Sequence, residues 1–170
     1  MGERTVLVLF GPKGVGKSTI ADLLSRRLGL HHVDADPLVL ALVERGVQPD
    51  PLYGWLEPVK AAVDEALQHH ELVAVEATGA WPTDWEIADR LRHDGHVVRC
   101  VRLIGAKETT MARAKARMDR RVPTSDADLE WIYEQSAMNC EEHVFDAQID
   151  TDEPLNEDAV VRAIERVLAA

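Results

Sequence analysis

The stretch from residue 11 to residue 19 carries the residue types that hold phosphate groups. It matches the pattern G-x-x-x-x-G-K-[S/T] in full. Glycines let the backbone turn its N–H groups toward one point, a lysine adds positive charge there, and a serine hydroxyl can bind Mg²⁺. We therefore predict a P-loop that binds the phosphates of ATP. Its residues are Gly11, Pro12, Lys13, Gly14, Val15, Gly16, Lys17, Ser18 and Thr19.

Three carboxylates stand where predicted strands end. Asp34 and Asp36 follow the second strand, and Glu76 ends the third. Ligands of parallel sheets bind at the carboxyl ends of the strands, so these acids can serve a Mg²⁺-bound water and the hydroxyl of a phosphate acceptor. Two alternatives remain: Asp36 caps a helix that begins at Pro37, and Glu76 is a solvated strand end.

A basic cluster forms the end of the predicted helix 108–121. It contains Arg113, Arg117, Arg120 and Arg121. The i, i+4 spacing places Arg113, Arg117 and one of the last two on the same face of the helix. Arginines so placed can bind phosphates and stabilise charge on a transferring phosphoryl group, which makes Arg117 a candidate catalytic residue beside Lys17. We predict a lid over about 113–127 that closes on ATP.

Strands and helices alternate along the whole chain. Apolar runs predict strands over 5–10, 31–34, 72–76, 96–104 and 147–150, whereas helical spacing of apolar residues predicts helices over 17–28, 37–44, 51–70, 82–92, 108–121, 125–143 and 157–168. This alternation predicts an α/β fold in which helices cover both faces of a parallel sheet.

Composition narrows the classes of function. The 170 residues correspond to a single domain, 1–170, and the net charge of −11 with one short basic stretch argues against a nucleic-acid partner. The N-terminal apolar run is too short for a signal sequence or a membrane span, and Cys100 and Cys140 have neither zinc-site nor disulfide spacing. We expect a cytoplasmic protein with two free thiols. The seven histidines show no metal-ligand spacing, and nothing in the sequence indicates an oligomeric state.

On these motifs the chain resembles the small P-loop kinases, the group of shikimate, gluconate and adenylate kinases. The resemblance implies a three-layer P-loop NTPase fold with a five-stranded parallel sheet in the order 2-3-1-4-5 and a small helical lid. The residues 33–36 resemble the Asp-x-Asp of shikimate kinases. This implies that Asp34 lies in the outer shell of Mg²⁺ and that Asp36 is the catalytic carboxylate on the acceptor hydroxyl. Arg113 and Arg117 resemble the arginine pair at the lid, and 149–152 resembles the loop that lies against adenine.

The acceptor segment, about 37–70, and the turn after the third strand depart from shikimate kinases. Those kinases grip an acidic substrate with arginines and a triple-glycine turn, whereas here the turn reads Ala-Thr-Gly-Ala and no Lys or Arg occurs between Val122 and Val161. We therefore expect an ATP-dependent kinase acting on a hydroxyl of a neutral or cationic small molecule. A nucleoside, nucleotide or polynucleotide 5′-kinase and a non-enzymatic ATP-binding switch are the alternatives.

Overall fold

A computed structural model describes residues 4–50, 52–117, 125–152 and 154–170 of the chain. Among these residues it has five strands and seven helices. The strands are β1 (Thr5–Phe10), β2 (His31–Val33), β3 (Leu72–Ala77), β4 (Val97–Ile104) and β5 (Ala147–Asp150). The helices are α1 (Lys17–Leu28), α2 (Ala35–Glu44), α3 (Leu56–His69), α4 (Pro82–His93), α5 (Lys107–Ala116), α6 (Asp126–Glu141) and α7 (Glu157–Ala169).

The five strands form one sheet in the order β2-β3-β1-β4-β5. Every neighbouring pair is parallel. The carboxyl ends of all five strands therefore lie at one edge of the sheet, where the loop after β1 leads into α1. The predicted fold and strand order are confirmed.

Two apolar clusters cover the two faces of the sheet. On β1, Val6, Val8 and Phe10 pack with residues of α3 and α4, while Leu7 and Leu9 pack with residues of α1 and α7. All five side chains are fully buried. A strand covered on both faces needs apolar residues at every position, which explains the uninterrupted run that predicted β1. No helix among the described residues is both long enough and apolar enough to cross a membrane.

Two helices begin two or more residues away from their predicted starts. Helix α2 begins at Ala35 rather than Pro37, because the Asp34 carboxylate accepts a hydrogen bond from the Asp36 N–H at 3.1 Å and caps the helix. Helix α3 begins at Leu56 rather than at residue 51. Before it the backbone N–H groups of Asp50 and Gly54 donate to each other's carbonyl oxygens at 2.9 and 2.8 Å, and this pairing is incompatible with helix.

The lid prediction can be followed only at its two ends. Helix α5 ends at Ala116, earlier than predicted, and Arg117 caps it by donating its N–H to the Ala114 carbonyl at 3.2 Å. Helix α6 is capped as predicted by Ser125, whose hydroxyl accepts from the Asp128 N–H at 3.1 Å. Arg120 and Arg121 lie outside the described residues, so their roles and the lid of about 113–127 stay predictions.

Candidate active site

The loop between β1 and α1 needs glycine at two positions. Gly14 and Gly16 have φ of 86° and 106°, a region that side chains rarely tolerate. A Cβ on Gly14 would also lie 2.2 Å from the Thr110 carbonyl oxygen of α5. Glycine at position 14 thus lets the loop pass close to α5, directly before the N-terminus of α1, where backbone N–H groups favour an anion.

Lys17 begins α1 and lies almost entirely inside the protein, with 8% of its surface exposed. Its Nζ donates to the carbonyl oxygens of Gly11 and Pro12 at 2.6 and 3.1 Å. The ammonium is therefore held across the loop, at the positive end of the α1 dipole. A buried cation next to a helix N-terminus favours a multiply charged anion such as a polyphosphate.

A cavity of about 720 Å³ opens over this loop. The P-loop residues Lys13, Lys17 and Ser18 line it together with Arg117, and we call this part of the lining the phosphate end. The lining also contains carboxylates from three elements and apolar side chains of α2, α3 and α4. The volume lies within the range of about 300–1,000 Å³ typical of small-molecule sites. The predicted phosphate site and these apolar side chains thus line the same cavity.

Glu76 lies in β3, one residue before its end, and pairs with a histidine to which the sequence assigned no role. His32 Nε2 lies 3.0 Å from Glu76 Oε1, and both side chains are about nine-tenths buried. Burial favours a raised pKa for Glu76, but His32, the charge of Lys17 and the Ser18 hydroxyl outweigh it, so that the pKa is lowered. Despite its own burial the pKa of His32 is raised by Glu76, Asp34 and Asp22. Each group therefore favours the charged form of the other, and the lowered pKa favours a carboxylate at Glu76 beside Ser18.

Asp34 and Asp36 both line the cavity, although neither belongs to a strand. Strand β2 ends at Val33, one residue before the predicted end, and Asp34 caps α2 while Asp36 lies in its first turn. Burial raises the pKa of Asp34, and the charges of Glu76 and Asp36 raise it further against the opposing N–H of Asp36. The three carboxylates therefore share one electrostatic environment next to the P-loop.

Asp84 is a cavity carboxylate that sequence reasoning missed. It lies in the first turn of α4 and accepts hydrogen bonds from the Thr78 hydroxyl and from the Trp81 N–H. Burial raises its pKa, although these hydrogen bonds oppose the shift. The available signal was a Trp-Pro-x-Asp helix start, in which an acid at the third helical position reaches back to the backbone. Trp81 itself lines the cavity.

Arg113 binds the loop that follows β5. Both terminal nitrogens of its guanidinium donate to the Thr151 carbonyl oxygen at 3.2 Å. The Thr151 hydroxyl in turn donates to the Ile104 carbonyl at 3.0 Å, which fixes this loop against the end of β4. The two segments predicted to enclose adenine, the arginine of α5 and the loop 149–152, are thus in contact.

Arg117 is exposed and lines the phosphate end of the cavity. If Arg117 has the predicted catalytic role, we expect Arg117→Ala to lower kcat by about 10²-fold and to change the KM for ATP less, because its guanidinium would stabilise charge that develops during phosphoryl transfer. Steady-state kinetics with varied ATP measures both values. Arg113→Ala is the contrasting variant, expected mainly to raise the KM. A change in KM alone for Arg117→Ala would make it a ground-state contact.

Comparison with known proteins identifies what the chain is similar to. A family model described as an AAA domain (AAA_33) matches residues 6–155. A protein of Schizosaccharomyces pombe named "Probable gluconokinase" is 29% identical over 121 residues, which cover 66% of this chain and 63% of that protein. The shikimate kinase of Streptomyces coelicolor is 37% identical over 81 residues, 44% of this chain and 46% of that enzyme. The matches thus span less than two thirds of these relatives.

The fold is similar to solved structures over nearly the whole chain. The shikimate kinase of Acinetobacter baumannii, solved in complex with shikimate, superposes with a TM-score of 0.65 at 17% identity. The superposition covers 98% of this chain and 94% of that chain. At this level of identity the likeness shows a shared fold.

Proposed function

The chain belongs to the AAA domain family, and from this premise we propose that it is a kinase that transfers the γ-phosphoryl group of ATP to a hydroxyl of a small molecule. The proposal rests on one observation: Lys17 and Ser18 of the P-loop line the same cavity as Asp34, Asp36 and Glu76. The relatives named as gluconokinase and shikimate kinase support this reaction class, and no observation favours a 5′-kinase of nucleic acids or a nucleotide switch.

Mg²⁺ fits the residues at the phosphate end. A serine hydroxyl and two carboxylates are the hard oxygen donors that Mg²⁺ prefers, and Glu76 is kept ionised by His32 and Lys17. Ser18 would bind the ion, with Asp34 and Glu76 holding its water ligands. Once bound, Mg²⁺ would neutralise charge on the β- and γ-phosphate oxygens.

Side chains of the protein itself supply the other contributions to phosphoryl transfer. Lys17 supplies positive charge to the phosphates, and Arg117 adds a second cation from the end of α5. Asp36 accepts the proton of the acceptor hydroxyl while that oxygen bonds to the γ-phosphorus and the bond to the β–γ bridging oxygen breaks, releasing ADP. Glu76 is less suited to be the base, because its lowered pKa makes it a weaker proton acceptor.

The charge of the cavity supports a neutral or cationic acceptor. Its described lining has three cations, Lys13, Lys17 and Arg117, and all belong to the phosphate end. The rest of the lining contributes only carboxylates as charged groups, among them Asp50 and Asp84. A carboxylate on the acceptor would therefore be repelled and left unpaired.

An acceptor screen tests the kinase proposal and the charge preference together. We expect ADP release to rise when neutral or amine-bearing alcohols are added with Mg²⁺ and ATP, and to rise less with D-gluconate or shikimate at equal concentration. A coupled assay for ADP measures both, with Lys17→Ala as the blank. ATP binding without acceptor-dependent ADP release would contradict the proposal.

A cytoplasmic location and the absence of nucleic-acid and membrane partners stay predictions, consistent with the net charge of −11 and the free Cys100 and Cys140.

A further inference from the structure

The cavity lining outside the P-loop includes a group of large apolar side chains, and we call this part of the lining the apolar compartment. They come from four different elements of the fold, which converge on one space. The lining includes Val39 of α2, Leu52 and Trp55 before or at the start of α3, Val59 of α3, Trp81 at the start of α4, and Leu129 of α6.

Two of these side chains are exposed although they are apolar. Leu52 has 80% of its surface exposed and Trp81 has 47%. A single exposed leucine is ordinary, but apolar residues that converge on a cavity from separate elements mark a binding surface. Neither Leu52 nor Trp81 belongs to the two core clusters, so packing of the core does not explain their positions.

The wall that carries Trp81 is held in place from α6. The Ser136 hydroxyl donates to the Thr78 carbonyl at 2.5 Å, and Asn139 Nδ2 donates to the Gly79 carbonyl at 3.0 Å. Trp81 itself packs against Trp131 of α6, with 4.5 Å between ring centroids. A side chain held in this way loses little conformational freedom when a ligand covers it.

The opposite wall is braced by a short turn. Asp50 Oδ1 accepts from the N–H groups of Leu52 and Tyr53 at 2.7 and 2.8 Å, in addition to the backbone pairing of Asp50 with Gly54. This turn places Leu52 and Trp55 at the cavity. Hydrogen bonds within the protein therefore hold residues next to Trp81 and residues next to Trp55.

We propose that the acceptor is an amphipathic alcohol, with its hydroxyl at Asp36 and an aromatic or branched aliphatic body against Trp55, Trp81 and Leu52. The inference rests on the proposed kinase function and names the class of substrate for that site. Continuity of the apolar compartment with the phosphate end supports it, because one molecule can reach both Asp36 and the apolar walls. The charge of the lining also supports the proposal, because the described lining of this compartment has no cation that could bind an anionic sugar acid.

Two alcohols that differ only in their apolar part test the inference. They are 2-amino-3-phenylpropan-1-ol and 2-aminopropan-1-ol, whose binding to the whole chain is measured by calorimetry in the presence of Mg²⁺ and ADP. We expect the phenyl compound to bind about 10- to 100-fold more tightly, the ratio given by burying a phenyl-sized group. Trp81→Ala should remove most of this ratio, and Trp81→Phe should retain it.

Met138→Ala is the control variant, because Met138 is an exposed apolar residue of α6 that does not line the cavity. It should leave the ratio unchanged. Equal binding of the two alcohols, no measurable binding of the phenyl compound, or full binding in Trp81→Ala would each overturn the inference. Because binding is measured without turnover, tight binding of the phenyl compound without ADP release would contradict the kinase proposal and leave the apolar compartment as a binding site for the alcohol. ADP release with only small polar alcohols would keep the kinase proposal and contradict the inference about an apolar acceptor body.

Discussion

Replacing Asp36 by asparagine should lower the rate of phosphoryl transfer by about 10²-fold or more, the loss expected when a general base is removed. Asparagine has nearly the same shape as aspartate but cannot take the proton from the acceptor hydroxyl. Asp36 lies in the first turn of α2 and lines the cavity, so the substitution changes no residue of the P-loop itself. Affinity for ATP, measured by calorimetry, should change little, while ADP release reports the loss of transfer.

Asp34→Asn is the matched control for Asp36→Asn. Asparagine caps a helix about as well as aspartate, so α2 should keep its start and the variant should keep its melting temperature. We expect a weaker dependence of activity on Mg²⁺, because a carboxylate assigned to a metal-bound water is lost. Normal turnover in Asp36→Asn would make Asp36 a residue of the α2 start only and would move the role of base to Glu76.

Lys17→Ala should lower transfer by about 10³-fold, the upper range for removing one group that stabilises a transition-state charge. The ammonium is the buried cation of the P-loop and is already oriented by the carbonyl oxygens of Gly11 and Pro12. Without it the β- and γ-phosphates lose positive charge that the helix N-terminus alone does not replace. Steady-state ADP release with saturating ATP and acceptor measures the effect.

Lys60→Ala separates loss of this particular charge from loss of any lysine. Lys60 forms ion pairs with Asp64 and Asp94 at 2.8 and 2.6 Å and does not line the cavity. Its removal should leave kcat within about twofold of the wild type, since ion pairs near the surface contribute little. Turnover of Lys17→Ala close to the wild type would contradict the kinase assignment, provided that thermal unfolding shows both variants folded.

Most elements of the fold follow from local patterns. The bounds of β1, α1 and β5 agree with those predicted, because an apolar run, helical spacing and a glycine stop are each properties of neighbouring residues. Errors occur where a side chain decides the boundary. Asp34 rather than Asp36 caps α2, and Asp50 organises a turn where a helix was predicted.

The contacts within the site join residues far apart in the chain. His32 meets Glu76 because β2 pairs with β3 in the register that sets His32 beside Ala74, two positions from Glu76 and on the same face. Arg113 reaches Thr151 across 38 residues in the same way, because α5 and the loop after β5 follow neighbouring strands. No local pattern contains such partners.

The sequence by itself determined the P-loop, the parallel α/β architecture and the candidate carboxylates, since each depends on residue types at fixed short spacings. Only the tertiary structure decided which of these residues share a cavity, that His32 lowers the pKa of Glu76, and that Asp84 and Trp81 line the same cavity. Those outcomes depend on strand register and helix packing, which arise from interactions summed over the whole chain. The residues predicted to bind phosphate can therefore be recognised in a nine-residue stretch of sequence. The shape and polarity of the cavity, by contrast, appear only when α2, α3, α4 and α6 are assembled around it.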